Sequence, residues 1–474
     1  MSAESVYRYV RERESGARTY ADSVDRVIER GSLARLWDTE GQEYLDCLSA
    51  AGTLALGHNH PAVTQAVLGF IGSGQVQQAL DLTTPAKYRF LRQLFDVLPA
   101  DFSASAKIQF CGPSGADATE AAVKLFKTAT GRRTVLAFHG AYHGMTAGSL
   151  SLTGNLSAKQ AVASLMPDTH FLPYPYDYRC PFGIGGEAGV RANLHYLERV
   201  LTDPESGITT PAAVFVEAVQ GEGGVIPAPV SWLRGLRELT SRLDIPLVID
   251  EIQTGFGRTG AMFAFEEAGV RPDAVLMSKA VGGGYPIALV AYDSRYDTWG
   301  PGAHAGTFRG NQIAMIAGAA TMAVIEDEGL VAAAVTKGKL IAAGLAELAE
   351  RHPEIGDVRG RGLMWGIEIV DPGQSADALG AHPADGARAA RIKGRCLELG
   401  LIIERGGRHG AVLRLLPPLV ITENEIQELL EKLGEAFETA GDRPRRDRPT
   451  AQSGPARCGA RTAQPSSRPQ VHSS

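Results

Sequence analysis

From about residue 60 to 320, short apolar runs alternate with amphipathic stretches. The runs "AKIQF" (106–110), "TVLAF" (134–138), "AAVFVE" (212–217), "PLVID" (246–250), "AVLMS" (274–278) and "IALVAY" (287–292) have the length and composition of buried strands. Between them lie stretches such as "SWLRGLRELTSRL" (231–243), whose apolar residues recur every three or four positions. Fully apolar strands separated by helices predict an α/β fold, a mainly parallel sheet covered on both faces. Such sheets place their chemistry in the loops at the carboxyl ends of the strands.

The flanks read differently. Residues 1–30 are polar and are expected to wrap the surface. "ARLWDTEGQEYLDC" alternates around "DTEG" and predicts a hairpin. After 320 come a long helical stretch, "GLMWGIEIV", a helix, "GLIIERGG", "AVLRLLPPLV" and a final helix near 423–438. This predicts a small α+β domain completed by the N-terminal hairpin, because neither segment alone closes a core. The expected organisation is therefore an N-terminal segment joining the small domain (1–60), a large domain (61–319), the small domain (320–440) and a tail (441–474). The tail is rich in Pro, Ser, Arg and Gly. It cannot bury enough surface to offset its ordering entropy and is expected to be disordered.

Composition narrows the function. With 44% hydrophobic and 21% charged residues over 474 positions, the chain reads as soluble and globular. A net charge of −6 gives no case for a nucleic-acid groove or an anionic membrane surface. The start lacks an apolar signal core, and no apolar run is long enough to span a membrane. The five cysteines (Cys47, Cys111, Cys180, Cys396 and Cys458) are widely spaced and contain no C-x-x-C. Neither a disulfide framework nor a zinc site is expected, and the expected location is the cytoplasm.

The candidate chemistry sits at strand ends. "LVIDEIQTGFGRTG" (247–260) finishes a buried strand on Asp250 and Glu251, and a charge there is costly without a specific partner. In "CGPSGADATEAAVKLFKTATG" (111–131) a tight turn feeds a helix, so Ser114, Gly115 and Ala116 offer a hydroxyl and free backbone N–H groups to a phosphate. The stretch is neither G-x-G-x-x-G nor G-x-x-x-x-G-K-[ST], so no dinucleotide or nucleoside triphosphate is indicated. In "FHGAYHG" (138–144) Tyr142 and His143 occupy a glycine-flanked loop, where an aromatic ring can stack on a flat heterocycle. In "VLMSKAVGGGYPIALV" (275–290) Lys279 follows a strand and precedes three glycines. A desolvated lysine is a nucleophilic amine suited to a Schiff base. A phosphate cradle, a stacking ring, a strand-end carboxylate and a strand-end lysine together point to pyridoxal 5′-phosphate, with Asp250 pairing its pyridinium.

From about residue 20 to 440 the sequence resembles the class III, or ω-type, pyridoxal-phosphate-dependent aminotransferases, carried by "VIDEIQTGFGRTG…DAVLMSKAVGGG", "GHNHPAV", "VEAVQGEGG", "TFRGNQIA" and "LRLLPPL". The resemblance implies fold type I of the pyridoxal-phosphate transferases. It implies Lys279 as the Schiff-base lysine, Asp250 as the ring-nitrogen partner and Gln253 as the neighbour of the ring's O3′. It gives Gly115 and Ala116 to the phosphate and Tyr142 to ring stacking. Thr307 is similar to a threonine that reaches the phosphate in the neighbouring subunit, implying a homodimer. Glu222 resembles a gate glutamate covering Arg414, which would grip the α-carboxylate of glutamate or 2-oxoglutarate.

Within the family, "QFCGPSGADATEAAVKL", "HGMTAGSLSLTGN" and "TFRGNQIA" are most similar to enzymes acting on L-2,4-diaminobutyrate and 2-oxoglutarate. Ornithine, lysine, 4-aminobutyrate and acetylornithine are the alternative donors. Two other classes are weighed: a pyridoxal-phosphate racemase or epimerase, which needs a second acid and no amino acceptor, and an inactive scaffold subunit. The pairing of Glu222 with Arg414 argues against the first. Competent residues at every catalytic position argue against the second.

Overall fold

A seven-stranded sheet forms the centre of the fold in the computed structural model, which describes residues 2–440. Its strands are β1 (Ala106–Phe110), β2 (Val135–Phe138), β3 (Thr169–Leu172), β4 (Ala213–Val216), β5 (Leu247–Asp250), β6 (Ala274–Met277) and β7 (Leu289–Asp293). Their spatial order is β1-β7-β6-β5-β4-β2-β3. Strands β2, β4, β5, β6 and β7 are buried at every position, which is why each reads as an unbroken apolar run rather than an alternation. The helix Gly115–Thr130 packs on the sheet, burying Ala118, Ala121, Ala122, Leu125 and Phe126. The helix Val230–Arg242 sets Trp232 edge-on to Phe138 at 5.2 Å.

Two features of this sheet escape the sequence pattern. Strand β3 ("THFL") is too broken by Thr and His to register as an apolar run, and only its last residue is fully buried. Strand β7 runs antiparallel to both β6 and β1, while the remaining pairs are parallel. The link from Met277 to Leu289 is too short to hold a covering helix, so the chain has to double back. Lys279 sits in that reversal.

A second sheet, of four strands, is antiparallel: Ile355–Arg361, Met364–Ile369, Val412–Leu415 and Glu404–Gly406. The predicted hairpin forms between Arg35–Asp38 and Glu43–Asp46, and Ile28–Ser32 adds a third strand. Its other edge takes Leu401–Ile402 in parallel, with Leu401 opposite Leu45. The two ends of the chain thus share one sheet. Arg35 bonds Glu428 at 2.6 Å and so ties that sheet to the last helix, Glu423–Thr439. The tail expected to be disordered lies outside the described residues. Among the described residues no single helix is long and apolar enough to cross a membrane.

Candidate active site

Asp250 closes β5 as a buried carboxylate, 4% exposed, and it is not bare. Its Oδ1 accepts the Ile252 N–H at 3.0 Å, and His143 Nδ1 lies 2.8 Å from its Oδ2. His143 arrives on the loop after β2. Burial alone would push its imidazole down, but the hydrogen bond and charge of Asp250 outweigh that and raise it above its usual value. The ring's other nitrogen, Nε2, is buried with no partner among the described residues.

Lys279 follows the neighbouring strand. Asp250 pairs in register with Leu276, so the lysine stands three residues past the level of the carboxylate. Its backbone is left-handed (φ 52°), a conformation that costs a residue with a Cβ roughly 1–2 kcal/mol and persists only where the surroundings enforce it. Its amine makes no hydrogen bond among the described residues. Burial lowers its pKa and Arg414 adds to that, against the opposing pull of Glu222, Asp250 and Glu217. Asp250 at one strand tip is thus close enough for its charge to act on Lys279 at the next.

The cradle lies beside them. Ser114, extended at φ −122° and ψ 151°, stands at the N-cap of Gly115–Thr130, but its side chain makes no capping bond. The hydroxyl and the first-turn amides remain available to an anion. A Cβ built on Gly115 would lie 2.8 Å from Ile252 Cδ1, so the cradle packs directly on the Asp250 loop. Gly144 (φ 126°) approaches equally closely: a Cβ there would stand 2.6 Å from that of Ala116. The Tyr142–Gly144 loop is thereby pinned against the cradle. An amine without a partner, an uncapped helix start, a ring on a loop pinned to it and a braced carboxylate fit the aldehyde, phosphate, ring face and ring nitrogen of pyridoxal phosphate.

In the four-stranded antiparallel sheet, Arg414 is completely buried in the strand Val412–Leu415. Its Nη1 donates to Glu222 Oε2 at 2.5 Å. Burial alone would raise the Glu222 carboxyl, yet the guanidinium holds it at about 2. Gln253 completes the group: its Nε2 donates to Glu222 Oε1 (3.4 Å) and to the Ala51 carbonyl (3.2 Å), and its Oε1 lies 3.5 Å from Arg414 Nη2. Its amide faces the Glu222–Arg414 pair here.

Three features are invisible to motif reading. Ser49, Ala50 and Ala51 form a run of left-handed residues (φ 49°, 49° and 57°) that presents the carbonyl bonded by Gln253. Tyr20 sits where burial and Glu222 push its phenol up to about 12, with Arg414 and Tyr142 also in reach. Glu217 lies buried between the Tyr142 and Glu222 loops. None has a sequence signal except Glu217, which the "VEAVQGEGG" motif contained without a role. Thr307 stands apart from the cluster, exposed at the start of a short 3-10 turn.

Residues 17–437 match the family described as aminotransferase class-III. The chain is 54% identical over 430 residues to a diaminobutyrate–2-oxoglutarate aminotransferase of Rhizobium meliloti, covering 90% of this chain and 91% of that one. It is 50% identical to the protein of the same name from Haemophilus influenzae, covering 88% and 92%. Among solved structures it resembles an amine transaminase from an uncultivated Pseudomonas species with pyridoxal phosphate bound (TM-score 0.80, 28% identity, 90% and 98% coverage).

Proposed function

The chain belongs to the class III aminotransferases, and on that footing we propose that it moves the 4-amino group of L-2,4-diaminobutyrate to 2-oxoglutarate, yielding L-aspartate 4-semialdehyde and L-glutamate. Its cofactor is pyridoxal phosphate. One observation carries the substrate reading: a wholly buried Arg414 covered by Glu222 at 2.5 Å. Uncovered, the arginine takes the α-carboxylate of 2-oxoglutarate or glutamate in a bidentate pair. Covered, it presents no net charge to the diamine.

When bound, pyridoxal phosphate supplies an aldehyde that takes up the amino group and a cationic ring that draws electrons from the adjoining carbon. Lys279, its amine biased toward neutrality by burial, takes a proton from the donor's amine-bearing carbon as a general base. Asp250 keeps negative charge at the ring nitrogen, and His143 fixes that carboxylate in place. Ser114 and the amides of Gly115 and Ala116 would hold the phosphate, and Tyr142 would stack on the ring. The resemblance places Gln253 at the ring's O3′; in the geometry above it steadies Glu222.

The working unit in this proposal is a homodimer, with Thr307 reaching the partner's phosphate. Support comes from its exposure and from the apolar residues nearby. Val76, Leu80, Leu82 and Phe308 are all exposed, and the segment carrying the first three bridges to Gly310 and Asn311.

The test is a donor screen with 2-oxoglutarate as acceptor. L-2,4-diaminobutyrate is expected to give the highest kcat/KM for glutamate formation. If ornithine, lysine, 4-aminobutyrate or acetylornithine exceeds it, the substrate assignment fails; with no glutamate from any donor, the transaminase reading itself fails.

A further inference from the structure

Glu217 has no part in the chemistry described so far, yet the fold keeps it where a carboxyl is costly. It follows β4 directly and is 7% exposed. Its Oε1 accepts the backbone N–H of Tyr142 at 3.0 Å. Its Oε2 accepts the backbone N–H of Gly221, also at 3.0 Å. The first amide belongs to the loop whose next residue, His143, holds Asp250. The second immediately precedes Glu222. The Tyr174 hydroxyl donates to the Glu217 carbonyl at 2.8 Å and fixes the residue at its root.

We propose that Glu217 is a positioning residue that locks the cofactor-stacking loop and the gate loop into one arrangement through its two carboxylate oxygens. The choice of residue type follows from the donors. Two N–H groups converge on one side chain, and only a carboxylate or carboxyl offers an acceptor to each. A glutamine of the same shape would turn an NH2 group toward one of them and leave both N–H groups in competition for a single oxygen. The site retains an acidic side chain although burial pushes it up to about 7, with Asp250 opposing its ionisation and His143 favouring it. A merely space-filling position would not keep so costly a group. The bracing ties residues on separate loops after β2 and β4 together where no hydrogen bond joins Tyr142 to Glu222 among the described residues. The gate half of this inference rests on the proposed role of Glu222 and Arg414; the cofactor half does not.

The test uses the holoenzyme of Glu217→Gln. Losing one hydrogen bond of this kind corresponds to about fivefold in an equilibrium constant. Cofactor release, followed as loss of visible absorbance during gel filtration, is expected to quicken about fivefold. The KM for 2-oxoglutarate is expected to rise similarly while the melting temperature stays within a few degrees of wild type. Wild-type release with wild-type KM overturns the proposal. Glu217→Asp keeps the charge but is one methylene short and is expected to show a smaller change in both. Should the glutamine variant not fold, the aspartate variant decides by the same two readings. A cycle with Glu222→Gln separates the halves. If Glu217→Gln raises the KM as much without Glu222 as with it, the gate half is overturned. A failed gate would instead show as an Arg414→Ala variant with no selective loss of 2-oxoglutarate, leaving the release measurement intact.

Discussion

His143 Nδ1 and Asp250 Oδ2 stand 2.8 Å apart, and both side chains are sealed from solvent. The Asp250 carboxylate is thus oriented by a residue on a different strand's loop. Because Asp250 raises the imidazole above its ordinary 6.5, folding binds the His143 proton more tightly than the unfolded chain does. The stability this adds is fully present below pH 6.5 and is lost as pH rises through the raised value. The melting-temperature gap between wild type and His143→Gln, measured from pH 5.5 to 9, is expected to be widest at the acid end and to narrow upward. A constant gap would show that the pair does not titrate with folding.

Asp250→Asn leaves the local shape intact but removes the charge. Preorganised groups of this kind contribute about 10²–10³ in rate, so kcat should fall by that order while the fold is retained. Steady-state kinetics together with circular dichroism decide it.

Arg414→Ala removes the carboxylate clamp. A charge-assisted pair of this type contributes about 1.5–3 kcal/mol, so the KM for 2-oxoglutarate should rise roughly 10- to 100-fold while that for the diamine changes little. Glu222→Ala should act in the opposite sense: Arg414 stays uncovered, glutamate and 2-oxoglutarate bind at least as well, and the diamine is disfavoured. Parallel shifts for both substrates would contradict switching by this pair.

Lys279→Ala should abolish turnover and any borohydride-reducible attachment of the cofactor. Lys279→Gly should be equally inactive yet more stable than the alanine variant by about 1 kcal/mol, since glycine tolerates φ 52° without a Cβ penalty. Calorimetry of the two variants tests the backbone strain apart from the chemistry.

Gly144→Ala places a methyl against the Cα and Cβ of Ala116 in a backbone region (φ 126°) closed to side chains. Destabilisation of about 1–3 kcal/mol and weakened cofactor retention are expected, read from thermal melts with and without added cofactor.

Most of the seven-stranded sheet was legible because its strands are buried on both faces. Such strands announce themselves as apolar runs, and all six expected ones form, with ends shifted by one or two residues. The chemistry at their ends was legible for the same reason: Asp250 and Lys279 stand out against Val-Ile and Leu-Met backgrounds. The short strand Thr169–Leu172 lacks that contrast and was invisible.

The sequence by itself determined the alternation of strands and helices, the placement of Asp250 and Lys279 at strand tips, and the glycine turn before Gly115. These are local matters of period, burial and backbone freedom, written within a few residues of each other. Only the tertiary structure decided that β7 runs backwards, that Leu401–Ile402 pairs beside Glu43–Asp46, and that His143 rather than solvent sits behind Asp250. It alone brought Glu217 between the Tyr142 and Gly221 amides. Apart from the Glu217–Gly221 bond, each of those joins residues from a dozen to hundreds of positions apart, where the pairing is fixed by how whole elements pack and by which buried polar group can find a partner, and no periodicity along the chain encodes that.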